Sequence, residues 1–416
     1  MKAFRTGWAL FPALVLCVCA LAPAGDVLNF RGPNRDGAFP GETGLMASWP
    51  EGGPPLLWTA TGFGVGYSSA VVRGDRIYLT GTLEGQMSHV FELDLDGKEL
   101  RRLPYGTETT KDQAPGGRGT PTLDGDRLFV LTSLGELACV DIPSWAVAWK
   151  VNILERFKGP LTEWDLSENL LVDGDRVICT PGGENAVMAA LDKRTGDTVW
   201  VTQGLTDMTS YCGPALVTHN GRRIILTLTS KFVICVDADS GTLLWKHPHP
   251  TDWDVHPNTP LYHNGCVYYV AGYKSGGGLL ELSPDASSFT VRWTDTELDC
   301  QHQGVVLAEG AIFGTSHHRS GGRLVCLDWE TGKMLWDDKA IRQANLILAD
   351  GMIYSYEGPK SGEVVLFKPS REGFQPAGKF TVAFGDREHW AHQVIANGRL
   401  YLRHGDALGC YDITQK

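Results

Sequence analysis

Short apolar runs cut by turn residues recur along most of the chain, the pattern of β-strands rather than of helices. Val71-Val72-Arg73-Gly74-Asp75-Arg76-Ile77, Thr122-Leu123-Asp124-Gly125-Asp126-Arg127-Leu128 and Leu171-Val172-Asp173-Gly174-Asp175-Arg176-Val177 are close copies of one strand-turn-strand unit. Looser copies place their turn glycines at Gly221, Gly265, Gly310, Gly351 and Gly398, so successive turns lie 51, 49, 47, 44, 45, 41 and 47 residues apart. Asp-Gly and Asn-Gly supply the positive φ angles of tight hairpins. Eight hairpins are predicted.

A second unit follows each hairpin. Its best copies run from Asp192 through Gly196 to Trp200, from Asp237 through Gly241 to Trp245, and from Asp328 through Gly332 to Trp336. Asp141 and Trp149 keep the spacing without the glycine; Arg101 or Leu103 in the first repeat and Phe380 in the seventh stand near the tryptophan's place. The aspartate is suited to accept backbone hydrogen bonds across a turn, glycine to take the strained turn conformation, and tryptophan to cover the seam to a neighbour. Each repeat is thus four short strands that cannot bury their own faces alone. Such units at this period stack radially. The last repeat stops after Tyr411-Asp412-Ile413 without an outer strand, and Pro55-Leu56-Leu57-Trp58-Thr59-Ala60 is the candidate to supply it. The fold class expected is all-β: an eight-bladed β-propeller of four-stranded antiparallel blades over residues 55–416, its last blade closed by an N-terminal strand.

The Asp-x-x-Thr-Gly-x-x-x-Trp copies resemble the repeat of the PQQ-like propellers, which include quinoprotein alcohol dehydrogenases and the assembly lipoprotein BamB. The resemblance covers roughly residues 56–416. The arm Phe30-Arg31-Gly32-Pro33-Asn34-Arg35-Asp36-Gly37 also resembles the leader of exported PQQ-like repeat proteins. For the dehydrogenases the resemblance implies PQQ with calcium, held by an adjacent Cys-Cys disulfide, a stacking tryptophan and a carboxylate set. No Cys-Cys pair occurs here, and no carboxylates match that set by motif. No catalytic residue is therefore assigned and no cofactor beyond PQQ with calcium, implied by resemblance alone. The leading expectation is a binding or scaffold protein acting through its axial face on a protein or small-molecule ligand. The alternative is a PQQ-dependent alcohol or sugar dehydrogenase.

Composition agrees with this picture. Glycine is 50 of 416 residues, an excess that fits many turns. The net charge of −11 argues against nucleic acid as a partner. Residues 1–24 read as a signal peptide: Lys2 and Arg5, an apolar run from Trp8 to Ala22 too short to span a bilayer, then Ala22-Pro23-Ala24 for cleavage. Leu16 before Cys17 and Val18 before Cys19 do not make a lipid-attachment site. The expected location is periplasmic or extracellular, with residues 25–54 as an arm and no transmembrane segment in the mature chain. Eight cysteines remain, four of them (Cys139, Cys235, Cys326 and Cys410) in one repeating phase, which suits small buried core residues better than a disulfide framework.

In a propeller the blade-joining loops and the loops between second and third strands share one face around the axis. Counting six residues back from each turn glycine gives entries to the innermost strands, among them Ser68, Glu168, Asn345 and His392. Nearby loops add Arg118, Trp164, Tyr211, His256, Asn258, His302, Gln303 and Trp390. These twelve are the candidate axial-face binding residues, although a wet channel mouth is polar without any ligand. Glu168 with His392 is a conceivable acid/base pair. His247-Pro248-His249 and His317-His318 match no metal-ligand spacing, the first group reading as an exposed loop. Gly276-Gly277-Gly278 reads as a flexible loop, not a phosphate cradle.

Overall fold

The computed structural model describes residues 25–416 except 112, 318–320 and 359; the expected signal peptide lies outside the described residues. Thirty-two strands form eight antiparallel sheets of four. Blades one to seven span Val71–Thr107, Thr122–Asn152, Leu171–Val201, Ala215–Pro248, Leu261–Asp295, Val306–Asp338 and Ala344–Thr381. Blade eight combines Val394–Ala396, Arg399–His404 and Ala407–Asp412 with the N-terminal strand Leu56–Thr61. That strand pairs antiparallel to the last one, Trp58 opposite Cys410, so the ring closes as the repeat pattern requires. One short α-helix, Ile153–Phe157, follows blade two. No helix among the described residues is long and apolar enough to cross a membrane.

The repeat motif explains how the blades dock. Asp192 Oδ1 accepts the backbone N–H groups of Arg194 and Thr195, Asp237 Oδ1 that of Ser240, and Asp328 Oδ1 that of Thr331. The turn glycines Gly196, Gly241 and Gly332 have φ of 77°, 73° and 69°. Each lies against the indole of the preceding blade: Gly196 on Trp149, Gly241 on Trp200, Gly332 on Trp293, and Gly97 on Trp58. Trp58 is thus the tryptophan of blade eight, contributed from the other end of the chain. Trp293 fills this place in blade five and was not anticipated from the motif.

Register decides between one pair of alternatives and corrects another expectation. Glu92 faces Arg101, so Arg101 and not Leu103 replaces tryptophan in blade one. Gly378, opposite Leu366, holds the place in blade seven; Phe380 lies two residues farther, opposite Val364. Trp49 of the arm occupies the space this glycine leaves: its backbone N–H donates to the Ala377 carbonyl at 2.9 Å, and its ring meets Tyr354 and Phe380. Cys139, Cys235, Cys326 and Cys410 face Trp149, Trp245, Trp336 and Trp58, the single phase read from sequence. All eight cysteines of the described chain are buried and unpaired.

Gly276–Gly278 is not a loop. It opens the third strand of blade five, where a Cβ on Gly277 would stand 2.3 Å from the Tyr269 carbonyl. Nor are His247 and His249 in an exposed loop: both pack on Tyr269, His247 Nε2 lying 2.8 Å from its hydroxyl and the His249 ring 4.7 Å from its ring.

Residues 25–54 cross the face that carries the hairpin turns. Val27 pairs with Val72 of blade one, Ala38 with Leu348 of blade seven, and Leu45 with Thr414. Between them, two arginines enter the axial channel. Arg35 donates from Nη1 to the Asn169 carbonyl at 2.8 Å and from Nη2 to that of Leu170, at the entry to blade three. Arg31 donates to the Leu346 carbonyl at 3.2 Å in blade seven and to Val305 at 2.7 Å beside blade six. Blades three and seven stand opposite each other in an eight-fold ring, so residues four apart in sequence span the channel. Gly304 makes room for this: a Cβ there would fall 2.0 Å from Arg31 Nη1. Burial lowers both guanidinium pKa values to about 10, still charged at neutral pH.

Candidate functional site at the axial mouth

With the arm across the hairpin-turn face, the opposite face opens as a bowl. A cavity of about 340 Å³ is lined by Gln113, Ala114, Arg118, Trp164, Ser167, Tyr211, Val255, Pro257, Tyr273, Gln301, His302 and Trp390. These residues come from the blade-joining loops and from the second-to-third strand turn of blade five, the loops that share one face in this architecture.

Five of the twelve candidates line it: Arg118, Trp164, Tyr211, His302 and Trp390. The Trp164 backbone N–H donates to the Tyr211 hydroxyl at 3.1 Å. Gln301 Nε2 donates to the Tyr273 hydroxyl at 2.6 Å. Trp390 is flanked by Tyr67 and His302, ring centroids 5.3 and 5.5 Å away. Tyr67 in turn donates to Glu388 at 2.8 Å. Burial drives the His302 pKa down to about 4, so the imidazole is neutral at pH 7.

The other seven are buried outside the cavity lining, where they bond the backbone within and between blades. Ser68 Oγ donates to the Thr80 carbonyl at 3.0 Å and receives Arg403 Nη1 at 2.6 Å. Asn258 donates to the Cys300 and Gln301 carbonyls at 2.7 and 2.6 Å and accepts the Gly304 N–H at 3.0 Å. Gln303 Oε1 accepts the N–H groups of Gln301 and His302. Asn345 reaches the Ala391 carbonyl at 3.0 Å, and His256 Nε2 lies 2.6 Å from the His249 carbonyl. Buried backbone groups at the seams need partners, and these side chains supply them.

Glu168 and His392 are not brought together as an acid/base pair. Glu168 Oε2 accepts the Thr180 N–H at 2.9 Å, and burial raises its pKa to about 7 against the pull of Arg35. The two His392 nitrogens face Arg31 Nη1 at 3.2 Å and the His302 carbonyl at 3.0 Å.

Counting back from the turn glycines mixed two registers. In blades one to three glycine is the first turn residue, as in Gly74 between Arg73 and Arg76. In blades four to eight it is the second, as in Gly265 after Asn264. The count therefore lands one residue later in the second group. Gln113, Ser167, Tyr273 and Gln301 were missed because the loops that carry them follow no repeat; neighbouring aromatic residues were their only signal.

The residues present do not fit a calcium-bound quinone. Calcium takes six to eight oxygens, carboxylates prominent among them. Among the described residues the lining includes no aspartate or glutamate, and no group of three or more His, Cys, Asp or Glu is placed to hold a metal ion.

A family model described as PQQ_2, outer membrane protein assembly factor BamB, matches residues 86–338. A polyvinylalcohol dehydrogenase from a Pseudomonas species is 21% identical over 315 residues, covering 62% of this chain; the chain spans only 44% of that relative. Among solved structures, BamB from Moraxella catarrhalis superposes with a TM-score of 0.61 at 16% identity, over 87% of this chain and 98% of that one. A europium-containing methanol dehydrogenase gives 0.67 at 12% identity, over 92% and 90%. Quinohemoprotein alcohol dehydrogenase from Comamonas testosteroni gives 0.66 at 12% identity, over 94% and 81%. At such identities the structural likeness concerns the fold alone. With more than half of its length matched and its repeats docked as the motif requires, this chain belongs to the BamB-like PQQ_2 family of PQQ-like β-propellers.

Proposed function

We propose that the protein is an exported propeller that binds a protein or small-molecule ligand at its axial mouth, without chemistry of its own. One observation carries this reading. The mouth is a bowl of aromatic side chains around Arg118, and among the described residues no carboxylate lines it to hold calcium or act as a base. Concave, mainly apolar sites with a few placed polar groups are the default for ligand binding. The signal-like residues 1–24 and a family described by outer membrane protein assembly support export.

The rival is a quinone-dependent oxidoreductase, favoured by the polyvinylalcohol dehydrogenase match. Purified protein is incubated with PQQ and calcium, desalted, and assayed for cofactor absorbance and dye-linked alcohol or sugar oxidation. The binding reading expects no stoichiometric retention and no turnover; retention with turnover overturns it.

A further inference from the structure

We infer that the mouth is built for a ring-bearing ligand with one carboxylate, an acidic sugar or a small aromatic acid, anchored by Arg118. This rests on the binding reading above and adds the ligand's charge and shape. Arg118 Nε donates to the Ala114 carbonyl at 3.0 Å and Nη1 to that of Trp164, which fixes the guanidinium at the cavity wall. Nη2 is buried and has no partner. A buried donor left unmade is costly, and a guanidinium presents its donors in a fork matched to a carboxylate.

The nearby carboxylates Asp165 and Glu108 act on the guanidinium charge without bonding this nitrogen. Asp165 Oδ1 holds Lys111 Nζ at 2.9 Å. Glu108 accepts Ser88 Oγ and the Ser133 N–H, both at 2.9 Å. Neither lines the cavity. Arg118 is also the one cation among the described lining residues, because His302 is neutral. A second or third carboxylate on the ligand would be desolvated without a counter-charge. Around Arg118, Trp164, Tyr211 and Trp390 offer aromatic surface for a pyranose or an arene. Gln113 and Ser167 add amide and hydroxyl groups for ring substituents.

The test titrates the full chain with galacturonate and with 2-naphthoate, each beside a neutral counterpart, methyl galactoside and 2-naphthalenemethanol. Tryptophan fluorescence and calorimetry report binding. At least one acid is expected to bind tenfold or more tightly than its counterpart, with the sugar and arene arms separating the two sources. The preference should weaken in high salt, vanish in Arg118→Gln and return in part in Arg118→Lys. Trp390→Ala should weaken the acid that binds, and thermal melts of each variant establish folding. Equal affinity for acid and neutral probe overturns the single-carboxylate assignment but leaves a binding mouth. Binding of none of the four overturns it while a protein-binding propeller stands. Retention of PQQ with turnover overturns both.

Discussion

Gly196 of blade three lies beneath the indole of Trp149 of blade two, so close that a Cβ would stand 2.7 Å from the ring. The same contact recurs at three other seams, which makes it the joint of the ring. Gly196→Ala is expected to cost about 3 kcal/mol, combining overpacking with a left-handed backbone. Gly221→Ala, where a Cβ meets nothing within 4 Å, should lose only about 1 kcal/mol. Urea denaturation of the two variants checks the difference.

The seam between blades one and two uses another solution. Arg101 stands where tryptophan is expected, and Trp145, at φ 51°, takes the glycine's place; the guanidinium lies 4.2 Å over that ring. Arg101→Trp and Trp145→Gly should each destabilise by about 1–2 kcal/mol, since each leaves half of a matched pair. The double variant should recover most of that loss. A double-mutant cycle by chemical denaturation measures the coupling, and simple additivity would refute it.

Arg31 holds the Leu346 and Val305 carbonyls inside the channel. Arg31→Met removes the charge but leaves those acceptors buried, at an expected cost of about 3 kcal/mol. Limited proteolysis should then cut residues 25–54 faster than in the native chain, while cleavage of the blades stays slow.

Acid should weaken the fold. Burial lowers the His249, His256 and His302 pKa values to about 4, 3 and 4. Between pH 6.5 and about 4 the native chain therefore binds fewer protons than the unfolded chain, and stability falls as pH falls. Glu168, raised to about 7, has the opposite sign: between pH 7 and 4.5 the native state binds the extra proton and gains stability on acidification. Melting temperatures at pH 7 and pH 4.5 should show a net loss. His302→Gln should make that loss shallower and Glu168→Gln steeper.

Much of this fold was legible because its chemistry repeats. Turn glycines, the Asp-Gly-Trp joint and the missing outer strand are local signals copied around the ring, so the sequence could be compared with itself. The mouth was legible only in part. Ser68, Asn258 and Asn345 looked like a polar lining because polar residues recur where the inner strands begin. Asn258 and Asn345 in fact satisfy carbonyls at the entry to the next blade, and Ser68 the Thr80 carbonyl of its own blade, demands that sequence shows only as polarity. Arg31 and Arg35 lay in a recognised arm, but nothing local says that a guanidinium reaches across a channel to carbonyls more than 130 residues away. Trp293 escaped notice because its turn lacks the motif, although its strand register matches its fellows.

Pairing Trp58 with Cys410 also sets the order of assembly. Seven blades can form from contiguous sequence as the chain appears, but the clasp between first and last strands waits for the final stretch. Until then the molecule is an open arc with an unpaired strand at its end, and non-local closure of this kind is slow and vulnerable to wrong partners. A chain stopped short of residue 407 would remain such an arc, a natural target for chaperones and proteases.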